Sequence, residues 1–169
     1  MYPLPVPLHL RPVREDDHAF LDALYDSTRA DLKQKDTDPE FVGQLIKMQQ
    51  QMQAHGFRNM HPEAEYMVLE RHGERIGRLV LEHDTRSARI VDISIWPAAQ
   101  NQGVGKTVLS ALQAWAAERQ LPLLLNVSKA NQRARRLYLA LGFQAGAADE
   151  AQQEMHWSAA EAQQQFERT

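Results

Sequence analysis

Residues 91–112 read VDISIWPAAQNQGVGKTVLSAL, and this stretch decides the fold. Val91, Ile93 and Ile95 alternate with Asp92 and Ser94, the two-residue period of a strand, and Pro97 follows Trp96 with no N–H for a ladder. Beyond the glycines the period changes. Val108, Leu109, Leu112, Trp115 and Ala116 recur at threes and fours, which predicts a helix running to about Arg119. Strand and helix are joined by Gln100-x-x-Gly103-x-Gly105.

The letters GVGKT also end the phosphate loop of nucleotide triphosphatases. That loop needs a glycine five places before Gly105, and position 100 is Gln. No second hydrophobic strand ending in a magnesium-binding Asp follows, since Asp92 lies upstream in its own strand. The spacing therefore argues against an NTPase. What remains is a turn whose glycines let the backbone approach a ligand closely. The first-turn N–H groups, at the positive end of the helix dipole, favour a phosphate or pyrophosphate there. Taken alone, the fragment fits a merely glycine-eased turn equally well.

Outward from this point the chain reads as β-α-α-β-β-β-α-β-α-β-β. Leu8 to Val13 is a first strand; Asp16 or Asp17 then caps a helix carrying Phe20, Leu21, Leu24, Tyr25, Thr28 and Leu32. Asp38, Pro39 and Glu40 start a second helix with Phe41, Leu45, Met48 and Met52 on its stripe. Residues 55–65 are a loop. Tyr66–Glu70 and Ile76–His83 are strands around a tight turn at Gly73, and Arg89–Trp96 is the next. Leu123–Val127 is a short strand, apolar but for Asn126, of the kind buried in a sheet. Asn131–Leu141 is a helix with Ala134, Leu137, Tyr138 and Leu141 on one face, ended by Gly142. Phe143–Ala147 and Gln153–Ser158 form a closing hairpin, and residues 159–169 a polar, frayed helical tail. The order predicts a mixed sheet with helices on both faces, and one domain over 1–169.

Composition narrows the class. The 169 residues are 43% hydrophobic and 24% charged, as in ordinary globular proteins. A net charge of −3 argues against a general nucleic-acid binder, which needs a basic surface. No apolar run approaches a bilayer span, and the start MYPLPVPLHLRP is proline-broken, unlike a secretory signal, so no membrane partner and a cytoplasmic location are expected. Cysteine is absent, which excludes disulfides, thiolate metal sites and a cysteine nucleophile. The seven histidines, including the pairs His55 and His61 and His72 and His83, match no metal-ligand spacing, so solvated histidines and no metal are expected.

Residues 91–112 together with 123–143, LLLNVSKANQRARRLYLALGF, resemble the GNAT superfamily of N-acetyltransferases. Two motifs carry the resemblance: a strand, a Pro and Gln-x-x-Gly-x-Gly opening a helix, then a strand, an Asn, and Leu-Tyr with Gly-Phe closing a short helix. The similar core spans about residues 66–147, and helices at about 15–54 sit where that family has its acceptor-side helices. The resemblance implies a three-layer α/β/α fold (α+β mixed sheet) whose central, mostly antiparallel sheet is splayed. It implies acetyl-CoA as co-substrate. Asn101, Gln102, Gly103, Val104, Gly105 and Lys106 would surround its pyrophosphate, Ile93, Ser94 and Ile95 would offer a strand edge to the pantetheine arm, and Asn131 would bond that arm from across the cleft. Asn131 also reads as a helix N-cap, and the two roles are compatible.

The implied reaction is direct acetyl transfer to an amine in a ternary complex. Backbone N–H groups near Ile95 are the expected oxyanion donors. Tyr138 occupies the family's general-acid position, although a core aromatic fits the same helix face. Related ribosomal-protein alanine acetyltransferases carry a Glu base where this chain has Asn126, and an amide cannot take a proton. Asp92 is the first candidate base, then Glu82 and Glu70. Arg133, Arg135 and Arg136 either reach the 3′-phosphate or form a solvated face. The acceptor, a small molecule or a protein N-terminus, would be read by the early helices, the closing hairpin and the 55–65 loop, where Arg58, Asn59, His61 and Glu63 suit a polar or carboxylate-bearing amine. A homodimer is compatible with this reading. The rival from another class is a non-catalytic acyl-CoA sensor, which needs neither Tyr138 nor a base.

Overall fold

Side chains on a pleated strand alternate between faces, and seven such segments of this chain form one mixed sheet. The computed structural model describes residues 2–28 and 63–168. In chain order its elements are β1 (Leu8–Pro12), a 3-10 turn (Glu15–Asp17), α1 (His18–Thr28), β2 (Glu65–Arg71), β3 (Glu74–His83), β4 (Ala88–Ile95), a second 3-10 turn (Pro97–Ala99), α2 (Val104–Glu118), β5 (Leu123–Ser128), α3 (Gln132–Ala140), β6 (Gln144–Ala148), β7 (Gln152–Trp157) and α4 (Ala159–Arg168). The sheet order is β1-β2-β3-β4-β5-β7-β6. Every neighbouring pair is antiparallel except β4 with β5. The expected helix from Asp38 to Met52, and Arg58, Asn59 and His61, lie outside the described residues.

The β2–β3 turn has φ of 53° at His72 and 77° at Gly73, the pair of positive angles that a two-residue hairpin of right-handed strands requires. Met67, Leu69, Leu79, Leu81, Ala88 and Ile90 point to one face, where Val108, Leu109, Leu112 and Trp115 of α2 cover them. α3 lies beside α2, joined by the Gln113 Nε2 to Leu141 carbonyl bond at 2.8 Å. Val68 and Val80 alternate to the opposite face and are buried there, as is Leu24 of α1, which packs on β3 and β4. The tail is a helix from its first residues, with Ala159 and Ala162 packed on the core.

Two details depart from the sequence reading. The N-cap is Arg14, at the start of the 3-10 turn that runs into α1; Asp17 is the third residue of that turn and joins the capping box by accepting the Arg14 N–H. Asp17 is fully buried and its two oxygens each receive an Arg11 nitrogen at 2.8 Å, with the Arg14 N–H donating at 2.6 Å. His83 is not a loop histidine; it ends β3, its ring 5.0 Å from that of Trp115 and its Nε2 3.1 Å from Glu65.

The irregularity that matters for the site is in β4. Val80 pairs with Asp92 but Leu81 pairs with Ile90, so Val91 is an extra residue, a β-bulge. The bulge resets the alternation. Asp92 and Ser94 therefore share the α1 face with Val80 and Arg78, while Ile93 and Ile95 pack towards the core.

Candidate active site

The parallel pairing of β4 with β5 covers only Ala88–Leu123, Arg89–Leu124 and Ile90–Leu125. Past the bulge the strands part, and β5 continues against β7 as far as Ser128. Trp96 N–H donates to the Ile76 carbonyl at 2.7 Å, so the alternate residues Ile95 and Ile93 turn their backbone groups to the other, open edge. One of those groups, the Ile95 carbonyl, accepts from Gln100 Nε2 at 2.9 Å. The gap is a cavity of about 150 Å³ lined by Asp92, Asn126, Ser128, Asn131 and Tyr138 among others.

At the mouth of the gap, α2 begins at Gly103, whose φ of 78° favours glycine. Asn101 also has positive φ, 64°. The first helical bond is Thr107 N–H to the Gly103 carbonyl at 3.0 Å, and the Thr107 hydroxyl donates to the same oxygen at 2.8 Å. The N–H groups of Val104, Gly105 and Lys106 thus have no carbonyl in their own helix. They face a cavity of about 440 Å³ lined also by Asn101, Gly103, Asn131 and Arg133. A Cβ on Gly103 would meet nothing within 4 Å, and one on Gly105 only Leu137 Cδ2 at 3.8 Å. The protein itself leaves that space open. Free amides, two glycines and the cations Lys106 and Arg133 suit a phosphorylated ligand. Gln102 is not part of this wall: its Oε1 accepts from Arg71 at 2.6 Å and its Nε2 donates to the Ala98 carbonyl at 2.9 Å, bracing the loop from outside. Arg135 and Arg136 do not line it either.

A third cavity, of about 420 Å³, lies on the α1 side and is lined by Tyr25, Thr28, Arg78, Asp92, Ser94 and Gln100 among others. Asp92 Oδ2 receives both Arg78 Nε at 2.9 Å and Nη2 at 2.8 Å. The Ser94 hydroxyl donates to the same carboxylate at 3.0 Å. Ser94 therefore turns its side chain away from the open edge. Asn131 lines all three cavities. Its Oδ1 caps α3 by accepting from the Ala134 N–H at 3.1 Å, a bond that does not use its NH₂.

Tyr138 is 8% exposed and packs edge-on against Phe143 at 5.7 Å. Burial pushes its phenol up to about 12, and the negative charge of Asp92 adds to the rise. Asp92 borders both the gap and the α1-side cavity. The other two candidate bases stand elsewhere. Glu82 is paired across from Arg89, on the far side of the bulge, and Glu70 Oε2 is 3.2 Å from Arg11 Nε. Among the described residues no three His, Asp or Glu side chains come together in a way that could hold a metal ion. No helix among them is long and apolar enough to cross a membrane. Sequence reasoning missed Arg78, and it read Tyr25 and Thr28 only as positions on a helix stripe. Arg78 becomes visible only through its register with Ser94, since it reads as an ordinary polar strand residue.

A mixed sheet parted between its parallel strands, with an amide-lined helix start at the mouth of the gap, defines an α/β protein with an open cleft beside a helix N-terminus. The family model described as the Acetyltransferase (GNAT) family matches residues 16–143, and the chain belongs to that family. Among solved structures it is similar to the PaiA N-acetyltransferase of Thermoplasma acidophilum in complex with coenzyme A (TM-score 0.67, 14% identity, 90% of this chain and 99% of that one). It is also similar to an acetyltransferase from Thermus thermophilus (0.65, 18%, 92% and 99%). A third is RimL, a ribosomal alpha-N-protein acetyltransferase in complex with coenzyme A (0.66, 18%, 93% and 97%). No curated protein matches the chain.

Proposed function

We propose that this protein transfers an acetyl group from acetyl-CoA directly to an amine. One observation carries the reading: a continuous wall, stitched together by Asn131, runs from the free amides of α2 along the open edge of β4 to Asp92 and Tyr138. Acetyl-CoA, when bound, supplies the acyl group as a thioester. The N–H groups of Val104, Gly105 and Lys106 hold the pyrophosphate, within the loop shaped by Asn101, Gln102 and Gly103. The backbone of Ile93 and Ile95 pairs with the pantetheine arm as one strand with another, and the Asn131 NH₂ bonds it from across the gap. Ser94 supports this edge indirectly, by orienting Asp92.

Three roles remain. A backbone N–H near Ile95 that the arm does not use stabilises the oxygen that becomes negative as the carbonyl turns tetrahedral. Tyr138 gives its proton, or a strong hydrogen bond, to the departing sulfur; a phenol raised to about 12 is a weaker acid than an ordinary thiol, so the transfer is uphill and positioning carries the step. Asp92 accepts the proton that the amine must lose. Without cysteine no thiol acyl-enzyme forms, which favours single displacement.

Thiol release from acetyl-CoA with a panel of amines tests this, comparing wild type with Tyr138→Phe. Saturable turnover that falls about 100-fold or more in the variant is expected, the range for loss of a general acid. Tight coenzyme A binding without turnover on any amine would identify a sensor instead.

A further inference from the structure

The open edge of β4 is not bare. The Ile95 carbonyl points away from β3, because the next residue, Trp96, gives its N–H to the Ile76 carbonyl on that side. Ile95 is half-buried and borders the cavity of about 440 Å³ together with the apolar residues Ala99, Val104, Ala134 and Leu137. A strand-edge carbonyl among such neighbours needs a donor. Here the donor is a side chain: Gln100 Nε2 lies 2.9 Å from the oxygen.

A primary carboxamide offers an N–H to a strand carbonyl just as a neighbouring strand does, and an arm built of secondary amides offers the same group. Building on the acyltransferase reading, we propose that Gln100 is a stand-in for the pantetheine arm. Its side chain holds the Ile95 carbonyl until an amide N–H of the arm takes that place, and the bond it gives up sets how tightly the arm is held.

The loop is built for such an exchange. Gln100 and Ile95 border the same cavity as the free amides of α2, so the side chain and an arm running along β4 claim the same space. The backbone of the loop is fixed by other bonds. Gln102 Oε1 accepts from Arg71 at 2.6 Å, Gln102 Nε2 donates to the Ala98 carbonyl at 2.9 Å, and the Gln100 N–H donates to the Pro97 carbonyl at 3.2 Å. The turn therefore keeps its course when the Gln100 side chain lets go. Gln100 is exposed, so water takes up the released carboxamide, and one neutral hydrogen bond replaces another. A ligand without the arm has nothing to offer Ile95 and leaves the edge closed.

Isothermal titration of the full chain tests this, comparing wild type with Gln100→Met and Gln100→Ala. The probes are coenzyme A and adenosine 3′,5′-diphosphate, which has the nucleotide but not the arm. Methionine keeps the length of the side chain and removes the donor. Both variants are expected to bind coenzyme A about 2- to 10-fold tighter, the scale of one neutral hydrogen bond, with binding of the armless nucleotide unchanged. In nitrogen-15-labelled wild type, the Gln100 side-chain NH₂ signal is assigned by its loss in Gln100→Met. It should move to the position of a solvated glutamine on adding coenzyme A and stay in place with the armless nucleotide. Thermal denaturation of each variant checks that it folds. Equal or weaker coenzyme A binding in either variant, equal tightening of the armless nucleotide, or an unmoved NH₂ signal overturns the proposal and leaves acetyl transfer standing. Coenzyme A binding to none of the three proteins overturns the cofactor reading itself, and this proposal with it.

Discussion

Gly105→Ala separates what the protein requires of this position from what a ligand requires. A Cβ there meets only Leu137 Cδ2 at 3.8 Å, an ordinary van der Waals distance. Position 105 is the second residue of α2, where alanine is the better helix former. The interior preference is about 1 kcal/mol and is smaller near a helix end, so about 0.5 kcal/mol of added stability is expected. In a chain of this size that raises Tm by about 1–2 °C. Coenzyme A should respond oppositely. The new methyl occupies space the fold leaves open beside free amide N–H groups, and losing one hydrogen bond to a charged oxygen costs about 1.5–3 kcal/mol, roughly 10- to 100-fold in Kd. Differential scanning calorimetry without ligand and isothermal titration with coenzyme A read the two effects separately. A variant that is more stable yet binds coenzyme A as tightly as wild type would refute the placement of the pyrophosphate. A fall in Tm would refute the claim that the protein itself does not need glycine at this position.

Other positions give independent checks. Gly77→Ala places a Cβ 2.5 Å from the Ser94 carbonyl, so β3 and β4 must move apart; a loss of about 1–3 kcal/mol by chemical denaturation is expected, with activity reduced because Ser94 and Asp92 shift. Asp17→Asn removes one of the two carboxylates beside the buried Arg11, leaving Glu70 at 3.2 Å, and should lose about 1–3 kcal/mol. Arg11 holds the Asp17 carboxyl well below its ordinary value of 3.8, so its contribution is present above that value and is lost as pH falls below it; the variant's deficit should shrink in acid. Tyr138 is shifted the other way. Its contribution is intact below the ordinary phenol value of 10 and declines as pH rises towards about 12, because the unfolded chain ionises first. Wild type should therefore lose stability across that window more steeply than Tyr138→Phe, measured by denaturant titration at each pH.

The glycine turn, the Asn131 cap, the hairpin at Gly73 and the apolar faces of α2 and α3 were all readable from neighbouring letters. Each depends on a local rule: positive φ, an orphan N–H, or a period of two or three to four. The site was readable only in part. Positions 103 to 106 and Tyr138 are candidates by motif, whereas Asp92 could be named but not placed, and Arg78, its ion-pair partner, could not be found at all. Asp17, read as a cap, is the buried partner of Arg11.

The sequence by itself determined which segments become strands and helices, and where a helix start with free amides would stand. Tertiary structure decided what those segments face. The bulge at Val91 turns Asp92 and Ser94 onto the α1 side, and the end of pairing at Ile90 and Leu125 opens the gap beside Tyr138. Both depend on register between strands distant in the chain, and a one-residue slip moves every side chain to the other face, a choice that no periodicity within a single strand records.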